Sequence, residues 1–161
     1  MNSVTDAPRD RRRLTTRIKD SLRELRNQLS LLNHQIGTRL ALKDVDLDCL
    51  DLIAMHGPIS PSAVARRAGQ HPATMTGILD RLERGGWIVR ERDPSAADRR
   101  AVTVRALGER NREMFRLYSG MSTAMDRVCA DYTAAELAVI ADFLRRTADA
   151  GRAATEGLAS D

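Results

Sequence analysis

Aromatic residues are almost missing from this chain. Only 3% of its 161 residues are Phe, Trp or Tyr, so Leu, Ile, Val, Met and Ala must fill any core. That composition suits helices better than a β-sandwich. Long apolar runs are missing too. No stretch of about 18 apolar residues occurs, which excludes an ordinary transmembrane helix. The opening residues MNSVTDAPRDRRR hold no apolar stretch of the kind a secretory leader needs, so a cytoplasmic location and no membrane partner are expected. Cysteine and histidine are sparse. Cys49 and Cys129, with His34, His56 and His71, show no metal-ligand spacing. No metal and no cofactor is expected, and the two thiols read as buried side chains in a reduced compartment.

What is present is charge, unevenly placed. The net charge is +4. Residues 1–30 carry eight Lys and Arg against four Asp and Glu, and residues 60–110 carry ten against six. The intervening residues 31–59 carry two against four, and 111–161 six against eight. Cations gathered in limited segments are what phosphate contact requires.

Leu14, Ile18, Leu22, Leu25, Leu29, Leu32, Ile36 and Leu40 step by three or four, an apolar stripe along one long helix. A small domain cannot cover so long a stripe, which points to a partner helix from a second copy of the chain. A second helix is predicted from about Asp46 to His56, with Leu47, Leu50, Ile53 and Ala54 inward, stopped by Gly57-Pro58. Ser60 caps a short third helix that begins at Pro61 and ends near Ala68-Gly69. A fourth runs from His71-Pro72 to Gly85-Gly86, with Met75, Ile78, Leu79 and Leu82 on one face. The period then changes. Residues 87–92 and 101–105 read as two strands around the polar loop Asp93–Arg100, a β-hairpin. Helical spacing returns after Gly108 with Met114, Leu117, Met121, Met125 and Val128. The box Thr133-Ala-Ala-Glu136 opens a last helix carrying Leu137, Ile140 and Leu144.

Helix, short helix, tight turn, helix and hairpin form a winged helix-turn-helix. The fourth helix is of a width to enter the major groove, where all four base pairs differ, with its first turns toward the bases. The hairpin tip, Asp98-Arg99-Arg100, is a second contact, since a tip arginine fits the electronegative minor groove and Asp98 can orient a neighbouring arginine. The expected fold is mainly α with a small β-hairpin wing. Residues 44–108 form the DNA-binding lobe, 11–43 and 109–152 a helical dimer layer, and 1–10 and 153–161 flexible ends.

The run from about Leu50 to Leu107 resembles the multiple-antibiotic-resistance regulator (MarR) family. The matching pieces are LIAMHGPISPSAVARRA at 52–68, TMTGILDRLERGG at 74–86, Arg92-Asp-Pro94 and Asp98-Arg-Arg-Ala101. The resemblance implies a homodimer with the terminal helices as its dimer layer, on a near-palindromic operator often beside the protein's own gene. It makes Arg99 the minor-groove arginine and Asp98 its orienting acid. It also implies release of DNA by a small aromatic or phenolic ligand or by an oxidant. Two departures stand out: the loop 93–100 is longer than the commonest family form, and His71 stands where a small hydroxyl cap is usual.

The residues expected at DNA are therefore Ser60, Ser62, His71, Ala73, Thr74, Thr76, Gly77, Arg81, Asp98, Arg99 and Arg100. Leu14, Ile18, Leu22, Leu25, Leu137, Ile140 and Leu144 are expected between protomers. His34, Met55, His56, Met114 and Tyr118 are candidates for a small aromatic effector. An enzyme would need a nucleophile with its base, paired carboxylates or a metal set. Asp44, Asp46, Asp48 and Asp51 are the nearest approach, and they read as solvated acids at the positive end of a helix. No catalytic residue is expected. The remaining rival is a winged-helix module that binds a protein partner. Arg90, Arg92, Arg99, Arg100 and Arg105 in and around the hairpin favour DNA instead.

Overall fold

The computed structural model describes residues 6–92 and 101–159, and the side chains of 8–92 and 101–158. The elements are α1 (Asp6–Leu40), α2 (Asp44–His56), α3 (Pro61–Arg67), α4 (Pro72–Arg84), β1 (Ile88–Arg92), β2 (Val102–Ala106), α5 (Gly108–Ala130) and α6 (Ala134–Ala159). This is the mainly helical winged helix-turn-helix that the periodicity predicts. The terminal helices are longer than expected. α1 begins at Asp6 and α6 runs to Ala159, so much of the expected flexible ends is helical. Pro8 falls in the first turn of α1, where a missing amide costs nothing. The tail sequence Gly-Arg-Ala-Ala-Thr-Glu-Gly-Leu-Ala is rich in alanine, the best helix former.

The chain divides into two compact units, Met1–Phe115 and Arg116–Asp161. The core of the first lies between α2, α3, α4 and the hairpin. Leu47, Leu50, Ile53, Val64, Met75, Ile78, Leu79, Leu82, Ile88 and Val104 are fully buried there. On α4 the inward set follows the i, i+3, i+4, i+7 pattern of one helical face. β1 and β2 pair antiparallel, with Arg90 opposite Val104. Ile59 adds a one-residue third strand: its N–H donates to Val104 O at 3.1 Å and its carbonyl accepts from Val104 N at 2.8 Å. Trp87 is buried, with the Arg110 guanidinium 4.9 Å above its ring centre.

Three helices of this unit end alike. At the close of α1, Leu42 N donates to Gly37 O and Ala41 N to Thr38 O, with Ala41 at φ 54°. At the close of α3, Gln70 N donates to Ala65 O and Gly69 N to Arg66 O, with Gly69 at φ 61°. At the close of α4, Trp87 N donates to Leu82 O and Gly86 N to Glu83 O, with Gly86 at φ 72°. Each is a Schellman closure around one left-handed residue.

Of the eight stripe residues on α1, only Ile36 and Leu40 are buried; Leu14, Ile18, Leu25 and Leu29 are exposed. In the second unit no side chain of residues 116–158 is buried. Its turn into α6 carries the expected capping box: Thr133 N donates to Glu136 Oε2 at 2.8 Å and Glu136 N to Thr133 Oγ1 at 3.3 Å. The Thr133 backbone bond, then its hydroxyl, holds the Glu136 carboxyl below its ordinary pKa. Among the described residues no helix is long and apolar enough to cross a membrane.

Candidate nucleic-acid interface

Ser60 caps α3, its Oγ accepting from Ala63 N at 3.3 Å, and Pro61 opens the helix. The Ser60 hydroxyl also meets Ser62 Oγ at 3.1 Å, and Ser62 is exposed. The turn through Gly69 then reverses the chain into α4. His71 caps α4 with Nδ1 accepting from Ala73 N at 3.3 Å, so an imidazole nitrogen serves where a hydroxyl is the usual cap.

Burial of Met75, Ile78, Leu79 and Leu82 turns the other face of α4 outward. Ala73, Thr74 and Thr76 are exposed and Gly77 is half-buried. The Thr76 hydroxyl donates to Pro72 O at 3.1 Å, which leaves its oxygen lone pairs and its methyl facing out. The surface at the front of α4 is therefore small and smooth, with few long side chains between the helix backbone and whatever it meets.

Arg81 is placed differently from the expectation. It is not free on the outer face. Nε donates to Asp46 Oδ2 at 2.8 Å and Nη2 to Asp46 Oδ1 at 2.6 Å. The Asp46 side chain is 3% exposed, so this fork is anchored in the protein. The hydrogen bond to Asp46, ahead of the opposing cost of burial, raises the Arg81 pKa. Removing one partner alone would strand a charge, at a cost on the order of 3–5 kcal/mol for a fully buried pair and less for this partly exposed one. Asp46 is thus a corrected reading as well: an acid taken for a solvated helix start is a buried partner.

The wing cations are also partly committed. Arg90 Nη2 donates to Asp80 Oδ1 at 2.6 Å, and Nη1 pairs with Glu83. Burial works against the Arg90 charge, but these two acids outweigh it and raise its pKa. Arg105 pairs with Glu91 across the strands, which lowers the Glu91 pKa. Two of the five arginines that favoured DNA are therefore held by carboxylates of the protein. Asp98, Arg99 and Arg100 lie outside the described residues. Sequence reasoning passed over Arg66 and Arg67, which are exposed in the last turn of α3. Their cluster of two adjacent cations beside the turn was the available signal.

The four effector candidates of the first unit do not form one site. Met114 is fully buried and Met55 is 71% exposed. His34 on α1 sits with Nδ1 3.1 Å from both carboxylate oxygens of Asp44, at the start of α2. Met55 and His56 lie at the other end of α2, roughly 16 Å along it. Tyr118 belongs to the second unit. A groove of about 450 Å³ does run between α1 and α2, with Leu22, Leu25 and Leu29 on one side and Asp44 and Asp48 on the other. None of the five candidates lines it. Cys49 is fully buried. Desolvation, reinforced by Asp48 and Asp46, pushes its thiol up to about 11.

The comparisons with known proteins agree with this geometry. The family model described as the MarR family matches residues 42–102. The uncharacterised HTH-type transcriptional regulator YcgE of Bacillus subtilis strain 168 is 29% identical over 127 residues, covering 79% of this chain and 81% of that protein. A mutant MepR from a multidrug-resistant S. aureus clinical isolate superposes with a TM-score of 0.70 at 14% identity, over 83% of this chain and 96% of that one. A MarR family protein from Bacillus stearothermophilus gives 0.65 at 19%, over 88% and 97%. At these identities the structures speak for the fold alone. Residues 42–102 match the MarR family model, and they hold the helix-turn-helix and the first strand of the wing.

Proposed function

We propose that this protein is a sequence-specific repressor that binds a near-palindromic operator as a homodimer. The observation that carries the reading is the front of α4. Ala73, Thr74 and Thr76 are exposed on a helix whose opposite face is locked into the core. Two such helices about one DNA turn apart would enter successive major grooves. Arg66 and Arg67 supply cations beside them for phosphates, and Asp98, Arg99 and Arg100 are assigned to the minor groove. The homodimer is supported by the apolar residues left exposed, Leu14, Ile18 and Leu25 on α1 and Ile140 and Leu144 on α6, with Leu22 and Leu137 half-buried beside them.

A small aromatic ligand is favoured over an oxidant as the releasing signal. The α1–α2 groove is of a volume that small molecules occupy. The Cys49 thiol is sealed from solvent and protonated, the reverse of what a sensing thiolate needs.

Fluorescence anisotropy tests the reading, with duplex DNA from the protein's own upstream region against a scrambled duplex over a salt series. Tight binding to the first alone, falling steeply as salt rises, is expected. Equal and weak binding to both would send the function toward the protein-binding module.

A further inference from the structure

The first turn of α2 is a junction. Asp44 meets His34 of α1, and Asp48 Oδ1 accepts from Asn33 Nδ2 of α1 at 3.3 Å. Between them Asp46 points the other way and takes both bonds from Arg81 of α4. On the wing side Arg90 of β1 ties Asp80 and Glu83 of α4, but toward α2 the rest of the hold on α4 is apolar, through Met75, Ile78, Leu79 and Leu82. Apolar contact is non-directional: it fixes how near α4 lies but resists rolling only weakly. A bidentate guanidinium–carboxylate pair is directional in two bonds at once.

Arg81 also shares a side of α4 with the residues that face outward. It follows Thr74 by seven residues, two helical turns. Its side chain runs back along the helix, so that Nη1 lies 3.6 Å from where a Cβ on Gly77 would stand. The glycine leaves that lane open.

Resting on the DNA-binding reading above, we infer that Asp46 and Arg81 are positioning residues for base recognition. The pair sets the roll of α4 against α2 and thereby the direction in which Thr74 and Thr76 meet the bases. Arg81 acts through α4 rather than on DNA.

The test uses full-length protein and the duplex that the wild type enriches from a randomised pool, with a scrambled duplex as reference. Three variants are compared: Asp46→Asn, Arg81→Met, and the double variant Asp46→Leu with Arg81→Met. Exchange of both members of a buried pair for apolar residues is often neutral for stability, so the double variant decides if either single variant unfolds. The expected result is that every folded variant loses about tenfold affinity for the enriched duplex, the size of one lost base contact. Affinity for the scrambled duplex and the slope of affinity against salt stay as in the wild type.

Two results overturn the inference. A folded double variant that binds the enriched duplex like the wild type makes the pair structural only. If instead Asp46→Asn binds as tightly as wild type while Arg81→Met weakens and its salt slope falls by about one, Arg81 is a direct DNA contact. A wild type that enriches no duplex removes the DNA-binding reading itself, a failure visible before any variant is made.

Discussion

Position sets the chemistry of single residues here. Cys49 is an ordinary thiol by sequence, and burial beside Asp48 and Asp46 lifts its pKa from 9.0 to about 11. The folded state therefore keeps a proton that the unfolded chain releases. Between pH 9 and 11 the native state binds more protons, so stability is present below 9 and is lost as pH climbs through that window. Urea unfolding of wild type and Cys49→Ala across pH 8 to 11 reads this directly. The difference between them should shrink against the wild type as pH rises, and a constant difference would show that the thiol titrates normally. Thr76 makes the matching case at the surface. Its proton is committed to Pro72 O, so it offers a base an acceptor and a methyl group. Thr76→Ala should relax the preference at one base pair by about 1–3 kcal/mol, seen as altered enrichment from a randomised pool. Unchanged enrichment with unchanged melting would remove Thr76 from the reading surface.

Elements were legible where a period or a cap writes them into the sequence. The inward set of α4, the Ser60 and Thr133 caps and the change of period at Trp87 all predict what is observed. Ile59 was not legible, because a strand of one residue has no alternation to detect. Asp46 was not legible either. An acid in the first turn of a helix reads as a solvated partner of the dipole, and its burial depends on an arginine 35 positions later. The turn between α3 and α4 was legible through Gly69, and the structure gives the physical reason. Gly69 sits at φ 61° with nothing within 4 Å of where a Cβ would stand, so only backbone strain opposes a larger residue. Gly69→Ala should cost about 1 kcal/mol, the left-handed penalty of an L residue. Chemical denaturation measures it. A much larger loss would mean the whole turn rearranges, and none would mean the strain is relieved locally. The Ala41 closure of α1 already carries the same strain.

At the scale of the molecule the unanswered surface is apolar. α1 is 35 residues long and buries only its last turns, through Ile36 and Leu40. α6 is 26 residues long and buries none of its described side chains. Helices of this length draw most of their stability from packing an apolar face, and in the proposed homodimer a second copy of the chain supplies that cover. A charge in such a face is harmless if water stays there and costly if a partner arrives. Leu25 lies mid-stripe at 41% exposure, next to the cation Arg26 and one turn from Leu29. Leu25→Asp changes little in an isolated chain, because solvent already reaches it. In a dimer it places a carboxylate against apolar side chains, a burial that the association cannot offset. Analytical ultracentrifugation should show wild type as a dimer and Leu25→Asp as a folded monomer with unchanged helical circular dichroism. Operator affinity should fall with it, because each protomer then holds a single half-site. If the variant sediments as a dimer, the α1 stripe is not the interface, and the cover for these helices must come from elsewhere along the chain.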